Sequence, residues 1–224
     1  MTFSLVARCE RSDEFGVVVS SSSVCVTSRC AWVRSRAGAV ASQNVTDPDL
    51  GILGLELLAR GLPASRVIEL LRAAGDHPEY RQLAAVDCHG GTAFYSGQHT
   101  LGTHAARRGR NCVAAGNLLA DNGVPGAMVE AFESGKELDF PERLLRALEA
   151  GEAAGGEAGD VRSAGLRVAA GVSWPTVDLR VDWHDKPISE LRRIWSVYAP
   201  QMPDYITRAS NPAAAPSYGV PGDP

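Results

Sequence analysis

The sequence predicts an α/β protein in which two stacked antiparallel β-sheets carry a layer of helices on each outer face. Strand-like segments occur in blocks, and pairs of amphipathic helices separate these blocks. The first helix pair has a link too short for anything but a helical hairpin. Each pair has one apolar face that must cover a sheet, and four layers meet this need. The length of 224 residues, 45% of them hydrophobic, suits one globular domain.

The first half of the chain is expected to contain a β-hairpin, a third strand and two helices. Apolar and β-branched residues over 2–7 and 15–19, with an acidic turn between them, predict the hairpin. Residues 37–43 form the third predicted strand. Helices are predicted over about 50–60 and 64–74, each ending at a glycine. The second helix has an apolar face at helical spacing, made of Val67, Leu70, Leu71 and Ala74.

The second half repeats this arrangement. The pattern predicts strands over 83–87, 92–96, 111–115, 166–169 and 177–183, and helices over 126–133, 141–150 and 188–198. The stretch 151–159 is rich in glycine, alanine and glutamate and is predicted to be a mobile loop. We expect residues 1–200 to form one domain and residues 201–224 to form a Pro/Ala-rich, disordered C-terminal tail.

Composition excludes several classes of function. The net charge of −4 comes without a basic block, so nucleic acid is not an expected partner. We expect a cytoplasmic protein, since the chain has neither a secretory signal nor an apolar stretch of the roughly 20 residues that a bilayer requires. The five cysteines and five histidines lack disulfide or zinc spacing, and phosphate-binding loops are absent, which predicts no metal and no cofactor. Base rates of soluble oligomers favour a homodimer.

The chain resembles a known bacterial family over nearly its whole length. The matching stretches, in order, are residues 2–8, 16–19, 54–58, 79–82, 116–120, 131–133, 142–145, 147–156, 178–182 and 190–193. They resemble the family called "domain of unknown function 1028", which is placed in the N-terminal-nucleophile (Ntn) hydrolase-like superfamily. The resemblance implies a four-layer αββα sandwich. It does not name a substrate, because the family has no established common one.

The resemblance also implies a nucleophile. Thr2 follows Met1, and a small second residue permits removal of the initiator methionine, which would leave Thr2 with a free α-amine. Such an amine, with an ordinary pKa of about 7.7–8.0, is suited to take the proton of the threonine hydroxyl near neutral pH. The alternative is that Thr2 is a β-branched residue that merely begins a strand.

Further candidate residues surround this nucleophile. Gly116 and Asn117 follow a strand, and the Asn117 amide could donate to an oxyanion, although an Asx turn at a strand end is the alternative. In the stretch 160–163, Asp160 and Ser163 are similar to the Asp-x-x-Ser pair that supports the proteasome threonine. Further pocket candidates are Asn44, Ser22 and Ser23.

The sequence departs from relatives at positions expected near the pocket. Neither lysine lies in the first 135 residues, so positive charge would have to come from an arginine, with Arg29, Arg34 and Arg36 as candidates. The leading hypothesis is a small-molecule hydrolase that cleaves a C–N bond through Thr2. One alternative is a catalytically silent Ntn-like protein that binds a metabolite or a partner. Another is an enzyme of specialised metabolism that performs non-hydrolytic acyl or ring chemistry in the same pocket.

Overall fold

The computed structural model describes residues 2–222, and its ten strands form two antiparallel sheets. The six-stranded sheet has the order β10-β9-β2-β1-β8-β7 and the four-stranded sheet the order β3-β4-β5-β6. The strands are β1 (Thr2–Arg8), β2 (Phe15–Ser21), β3 (Ala31–Arg34), β4 (Gly38–Asn44), β5 (Arg81–Asp87), β6 (Thr92–Ser96), β7 (Ala105–Gly109), β8 (Cys112–Asn117), β9 (Ser163–Ala169) and β10 (Pro175–Val181). The predicted opening hairpin is confirmed as β1 and β2.

Helices cover both outer faces of the sheet pair. The helices are α1 (Val26–Cys30), α2 (Pro48–Ala59), α3 (Ala64–Ala74), α4 (Val124–Ser134), α5 (Phe140–Ala153), α6 (Pro187–Tyr198) and α7 (Met202–Ser210). The pair α2 and α3 packs on the four-stranded sheet, whereas α4, α5 and α6 pack on the six-stranded sheet. Because a third apolar cluster fills the space between the sheets, the predicted four-layer αββα sandwich is confirmed. Each helix across residues 2–222 is too short or too polar to cross a bilayer.

The alternation of β1 determines which side chains face the space between the sheets. Phe3 and Leu5 belong to the cluster under α4 and α5, whereas Val6 belongs to the cluster between the sheets. Successive side chains of a strand point to opposite faces, so Thr2 and Ser4 share the inner face with Val6. The first strand therefore brings two hydroxyl groups to one end of the space between the sheets.

Before the C-terminal segment, the sequence pattern missed three elements. The short α1 and β3 lie between the second and third predicted strands, where no element was predicted. A helix of five residues and a strand of four leave almost no periodicity to detect. The edge strand β7 has the sequence AARRG, in which a continuous apolar stretch is lacking. It is identified as a strand only by its pairing with β8.

The C-terminal segment contains a helix where disorder was expected. Residues 202–210 form α7, with Pro203 in its first turn, a favourable position for proline. The Tyr205 ring stacks on the Tyr198 ring of α6, with ring centroids 5.9 Å apart. The Arg208 guanidinium lies over the Tyr218 ring, 3.9 Å from its centroid. The tyrosine stack joins α7 to α6, and the Arg208 contact joins α7 to the segment that follows it. Composition does not specify such ring contacts, so it did not predict this helix.

Candidate functional site

Three neighbouring strands end together around Thr2. Thr2 is directly opposite Asn117 of β8, and Ser20 of β2 pairs with the next residue of β1. Thr2 is 3% exposed and Asn117 is fully buried. The Thr2 hydroxyl donates a hydrogen bond to Ser21 Oγ at 3.4 Å. The structure thus brings together the predicted nucleophile, the predicted amide and a serine that adjoins the predicted Ser22 and Ser23.

Serine hydroxyls extend from Thr2 toward an arginine. The hydroxyls of Ser21 and Ser23 lie 2.8 Å apart, and Arg29 Nη2 of α1 donates to Ser23 Oγ at 3.2 Å. Of the three candidate arginines, Arg29 is therefore the one that reaches this end of the sandwich. Arg34 and Arg36 instead line a cleft of about 450 Å³ at the opposite end of β4.

Ser163 holds the loop that follows β2. Its hydroxyl donates to the carbonyl oxygen of Ser23 at 2.6 Å and accepts from the backbone N–H of Val26 at 3.2 Å. Ser163 is fully buried and pairs with Ser21 across the sheet. The side chain is close to the site, but its contacts are with backbone of the loop rather than with Thr2.

Two glutamines join the two sheets beside Thr2. Ser4 Oγ donates to Gln43 Oε1 at 2.6 Å, and Gln43 Nε2 donates to Gln82 Oε1 at 2.9 Å. Asn117 Nδ2 donates to the same Gln82 oxygen at 3.0 Å. These four side chains are all buried, so the space between the sheets changes from apolar to hydrogen-bonded polar groups at this end.

Asn117 carries an acceptor that the described residues leave unsatisfied. Its Oδ1 is buried and has no hydrogen-bond partner within residues 2–222. A buried unsatisfied acceptor costs about 1–3 kcal/mol, so proteins seldom retain one without a reason. An ordered water, a ligand or a reacting group at this place would supply the missing donor.

A buried carboxylate lies on the other side of the same strand ends. Glu157 is 4% exposed, and both of its oxygens accept from the backbone N–H of Ser22, at 3.0 and 3.2 Å. Desolvation raises its pKa to about 7, although the Ser22 hydrogen bonds act in the opposite direction. Glu157 also lines a cleft of about 220 Å³ together with Phe3 and Glu152, and this cleft is not lined by Thr2 or Asn117.

The segment around Glu157 is part of the packed structure rather than the mobile loop that was expected. Residues up to 153 continue α5, and Glu157 forms an isolated β-bridge with Leu119. The backbone N–H of Ala158 donates to the Leu118 carbonyl oxygen at 2.9 Å. Tertiary pairing with the segment after β8 therefore orders a sequence whose composition alone favours mobility.

Two predicted pocket residues lie away from this cluster. The Asp160 side chain is 82% exposed and forms an ion pair with Arg162 at 3.0 Å. Asn44 points away from the inner face and has a φ of 76°. Its Nδ2 donates to the Tyr80 carbonyl oxygen at 2.6 Å, and its Oδ1 accepts from the Leu101 N–H at 3.1 Å. The structure therefore places Asn44 as a link between loops and Asp160 at the surface.

Gly116 has a packing role beside the site. A Cβ at this position would lie 2.6 Å from Leu119 Cδ2, on the face of β8 that packs against helices. A larger residue would therefore displace the Leu119 side chain from this position. Gly116 also contributes its carbonyl oxygen to Gln82 Nε2, at 3.0 Å.

The thiols and metal-ligating residues form no competing centre in the described part of the chain. All five cysteines are free thiols, and desolvation raises the pKa of Cys30, which disfavours its reactive thiolate. Across residues 2–222 there is no group of three or more His, Cys, Asp or Glu side chains placed to hold a metal ion.

Gln43, Gln82 and Glu157 are the site residues that the sequence reasoning missed. A weak signal was present for the glutamines, because each lies beside the apolar part of its strand, at the end of β4 and the start of β5. The structure makes the two direct neighbours in the β4–β5 register. Glu157 carried no such signal, since it lies in a stretch of small and acidic residues.

Comparison with known proteins identifies the family. The model of DUF1028, a family of unknown function, matches residues 2–191. The chain belongs to the DUF1028 family. A crystal structure of a DUF1028 protein from Silicibacter pomeroyi superposes with a TM-score of 0.82 and 32% sequence identity, covering 88% of this chain and 89% of that one. The four-layer architecture and the site described above are thus those of a DUF1028 member.

Other comparisons add little about activity. This DUF1028 chain also aligns with Anbu (ancestral beta-subunit) from Yersinia bercovieri, over 97% of its length and 100% of Anbu. The TM-score is 0.37 and the identity 10%, and a similarity this low does not indicate a shared activity. No curated protein matches the sequence.

Proposed function

We propose that this DUF1028 protein hydrolyses a C–N bond of amide type in a small molecule, with Thr2 as an N-terminal nucleophile. The observation that carries the proposal is the position of the Thr2 hydroxyl. It lies on the inner face at the end of β1, bonded to Ser21 and directly opposite Asn117. A hydroxyl and an amide on facing positions of adjacent strands are close enough to act on one bound carbonyl.

The reaction that we propose requires loss of Met1. The α-amine of Thr2 then takes the hydroxyl proton as Oγ1 attacks the amide carbon, and the carbonyl oxygen becomes an oxyanion. Collapse of this intermediate breaks the C–N bond, and the leaving nitrogen receives the proton from the amine. A water molecule then hydrolyses the Thr2 ester, which releases the acid and restores the hydroxyl.

Asn117 is the proposed donor to the oxyanion. Its Nδ2 has two hydrogens, of which one is directed to Gln82 Oε1. The backbone N–H groups of the next two residues donate to carbonyl oxygens of the loop before β7, Leu118 to Leu101 and Leu119 to Thr103. Since those groups are occupied, the side chain of Asn117 is the better candidate.

The loop after β2 is the proposed wall of the substrate pocket. It carries Ser22 and Ser23, and Ser163 fixes its backbone. Arg29 places a permanent positive charge beside Ser23, whose hydroxyl is hydrogen-bonded through Ser21 to Thr2. Such a charge favours the deprotonated form of nearby groups. In this proposal Arg29 supplies the positive charge near the nucleophile that a lysine supplies in the proteasome.

The low exposure of Thr2 favours a second candidate function. Only 3% of the Thr2 surface is exposed, so little of this residue is open to a substrate in this arrangement. A protein that binds a metabolite near this site without turning it over would have the same structure. A chemical probe of Thr2 separates the two candidates.

The test combines intact mass with an acylating probe. Purified protein is first weighed to establish whether Met1 has been lost. It is then treated with a β-lactone, whose ring carbonyl reacts with the Thr2 hydroxyl and whose ring C–O bond opens, so that the whole probe mass is added. We expect one adduct in the wild type and in Thr2→Ser, and none in Thr2→Ala.

Thr176→Ala is the matched control for this experiment. Thr176 is also a buried threonine of the six-stranded sheet, 5% exposed, but it lies on β10 away from Thr2. The adduct should persist in Thr176→Ala. Retention of Met1 in protein that still forms the adduct, or an adduct that survives Thr2→Ala, would refute the mechanism.

A further inference from the structure

The backbone of β8 fixes which way the side-chain amides of Gln43 and Gln82 are turned. Backbone carbonyl oxygens can only accept hydrogen bonds, so an amide group that contacts one must present its nitrogen. Gln43 Nε2 contacts the Ala115 carbonyl oxygen at 3.2 Å, and Gln82 Nε2 contacts the Gly116 carbonyl oxygen at 3.0 Å. Two consecutive carbonyls of β8 therefore set the orientation of both glutamine amides.

The orientation of Gln82 determines that of Asn117. With its nitrogen on Gly116, Gln82 turns its oxygen toward Gln43 Nε2 and Asn117 Nδ2. A reversed Asn117 amide would bring two acceptor oxygens together at about 3 Å, which is unfavourable in a buried site. Asn117 must then keep its nitrogen on Gln82 and leave Oδ1 as the buried acceptor without a partner in the described chain.

We propose that Gln82 is a positioning residue. The Gly116 carbonyl of β8 fixes the orientation of the Gln82 amide, and Gln82 in turn holds the Asn117 amide in one of its two orientations beside Thr2. The hydrogen bonds of Gln82 within the described residues run to Asn117 and not to Thr2, so it acts through Asn117. The inference deepens the proposed function, because it names the residue that would hold the oxyanion donor in place. Ser96 is expected to contribute little, since Gln82 Nε2 retains Gly116 when the Ser96 hydroxyl is removed.

The first test observes the amide directly and needs no activity. Neutron diffraction of the wild-type protein distinguishes nitrogen from oxygen in Asn117 through the deuterons on Nδ2. We expect Nδ2 to face Gln82. Nuclear density with Oδ1 facing Gln82 would overturn the inference, whether or not the protein is a hydrolase.

The second test uses variants and side-chain hydrogen exchange. With ¹⁵N-asparagine labelling, Gln82→Met should lower the exchange protection of the Asn117 side chain by about tenfold, because its acceptor is gone. Gln82→Glu should retain the protection in its neutral form, which burial favours. The carboxylic acid still accepts from Asn117, and its O–H replaces Nε2 as the donor to the Gly116 carbonyl oxygen. Ser96→Ala is the matched control and should also retain it. Equal protection in the wild type and Gln82→Met, or equal loss in Gln82→Met and Gln82→Glu, would contradict the positioning role.

The third test connects the residue to the chemistry of Thr2. The rate of β-lactone addition should fall by about tenfold in Gln82→Met and recover in Gln82→Glu, a difference that general loss of stability would not produce. Absence of an adduct in the wild type would refute the proposed function and leave the neutron and exchange results to decide on Gln82. An adduct that forms equally fast in Gln82→Met would refute the inference and leave the proposed function intact.

Discussion

Replacement of Glu157 by glutamine should remove a pH dependence of stability. Burial raises the pKa of Glu157 from 4.5 to about 7, so the folded protein binds a proton that the unfolded chain has already lost between these values. The contribution of Glu157 to the free energy of unfolding is fully present below pH 4.5 and is lost as the pH rises through about 7. At 1.36 kcal/mol for each pKa unit, the loss amounts to about 3 kcal/mol. Glutamine resembles the protonated side chain in shape and can accept from the Ser22 N–H at any pH.

The assay is urea unfolding at pH 5 and pH 8.5, followed by tryptophan fluorescence. The free energy of unfolding of Glu157→Gln relative to the wild type should increase by about 2–3 kcal/mol between the two pH values. Glu69→Gln is the control, because the Glu69 side chain is 60% exposed on α3 and its loss should change little. The same difference between Glu157→Gln and the wild type at both pH values would show that Glu157 is not buried as described.

Three further predictions concern the fold. Leu148→Ala should lower the free energy of unfolding by about 2–5 kcal/mol, because Leu148 is fully buried under the six-stranded sheet; a loss under 1 kcal/mol in urea unfolding would contradict this packing. Gly165→Ala should cost about 1–3 kcal/mol, since the new Cβ would lie 1.9 Å from Thr27 Oγ1, and Thr27→Ala in the same chain should recover part of the loss of melting temperature. Tyr205→Ala should speed amide exchange in α7 and leave global stability within about 0.5 kcal/mol, because all nine residues of α7 are at least partly exposed; unchanged exchange would mean that the ring stack does not hold the helix.

The elements predicted from the sequence agree best with the structure where the apolar residues have a strong helical period. Helices α3 and α6 have regular apolar faces, and the predicted residues 64–74 and 188–198 match them to within one residue. The strand β7 and the short α1 have no such pattern and were missed, because what defines them is contact with distant segments.

The candidate site divides in a similar way. Thr2, Asn117 and Ser163 were chosen from the sequence and do meet at one end of the sandwich. Asp160 was chosen from a spacing that resembles a related site, yet its side chain faces solvent. The residue that is buried beside the strand ends is Glu157, three positions earlier.

By itself the sequence determined the layers of this protein, because the period of apolar residues along each segment states which face must be buried. It also determined which residue begins the first strand. Only the tertiary structure decided which polar groups meet. The hydrogen bonds from Ser4 to Gln43, from Gln43 to Gln82 and from Asn117 to Gln82 join segments that are 35 or more positions apart. No local pattern encodes such contacts, since they depend on how the two sheets stack and on which strands lie side by side.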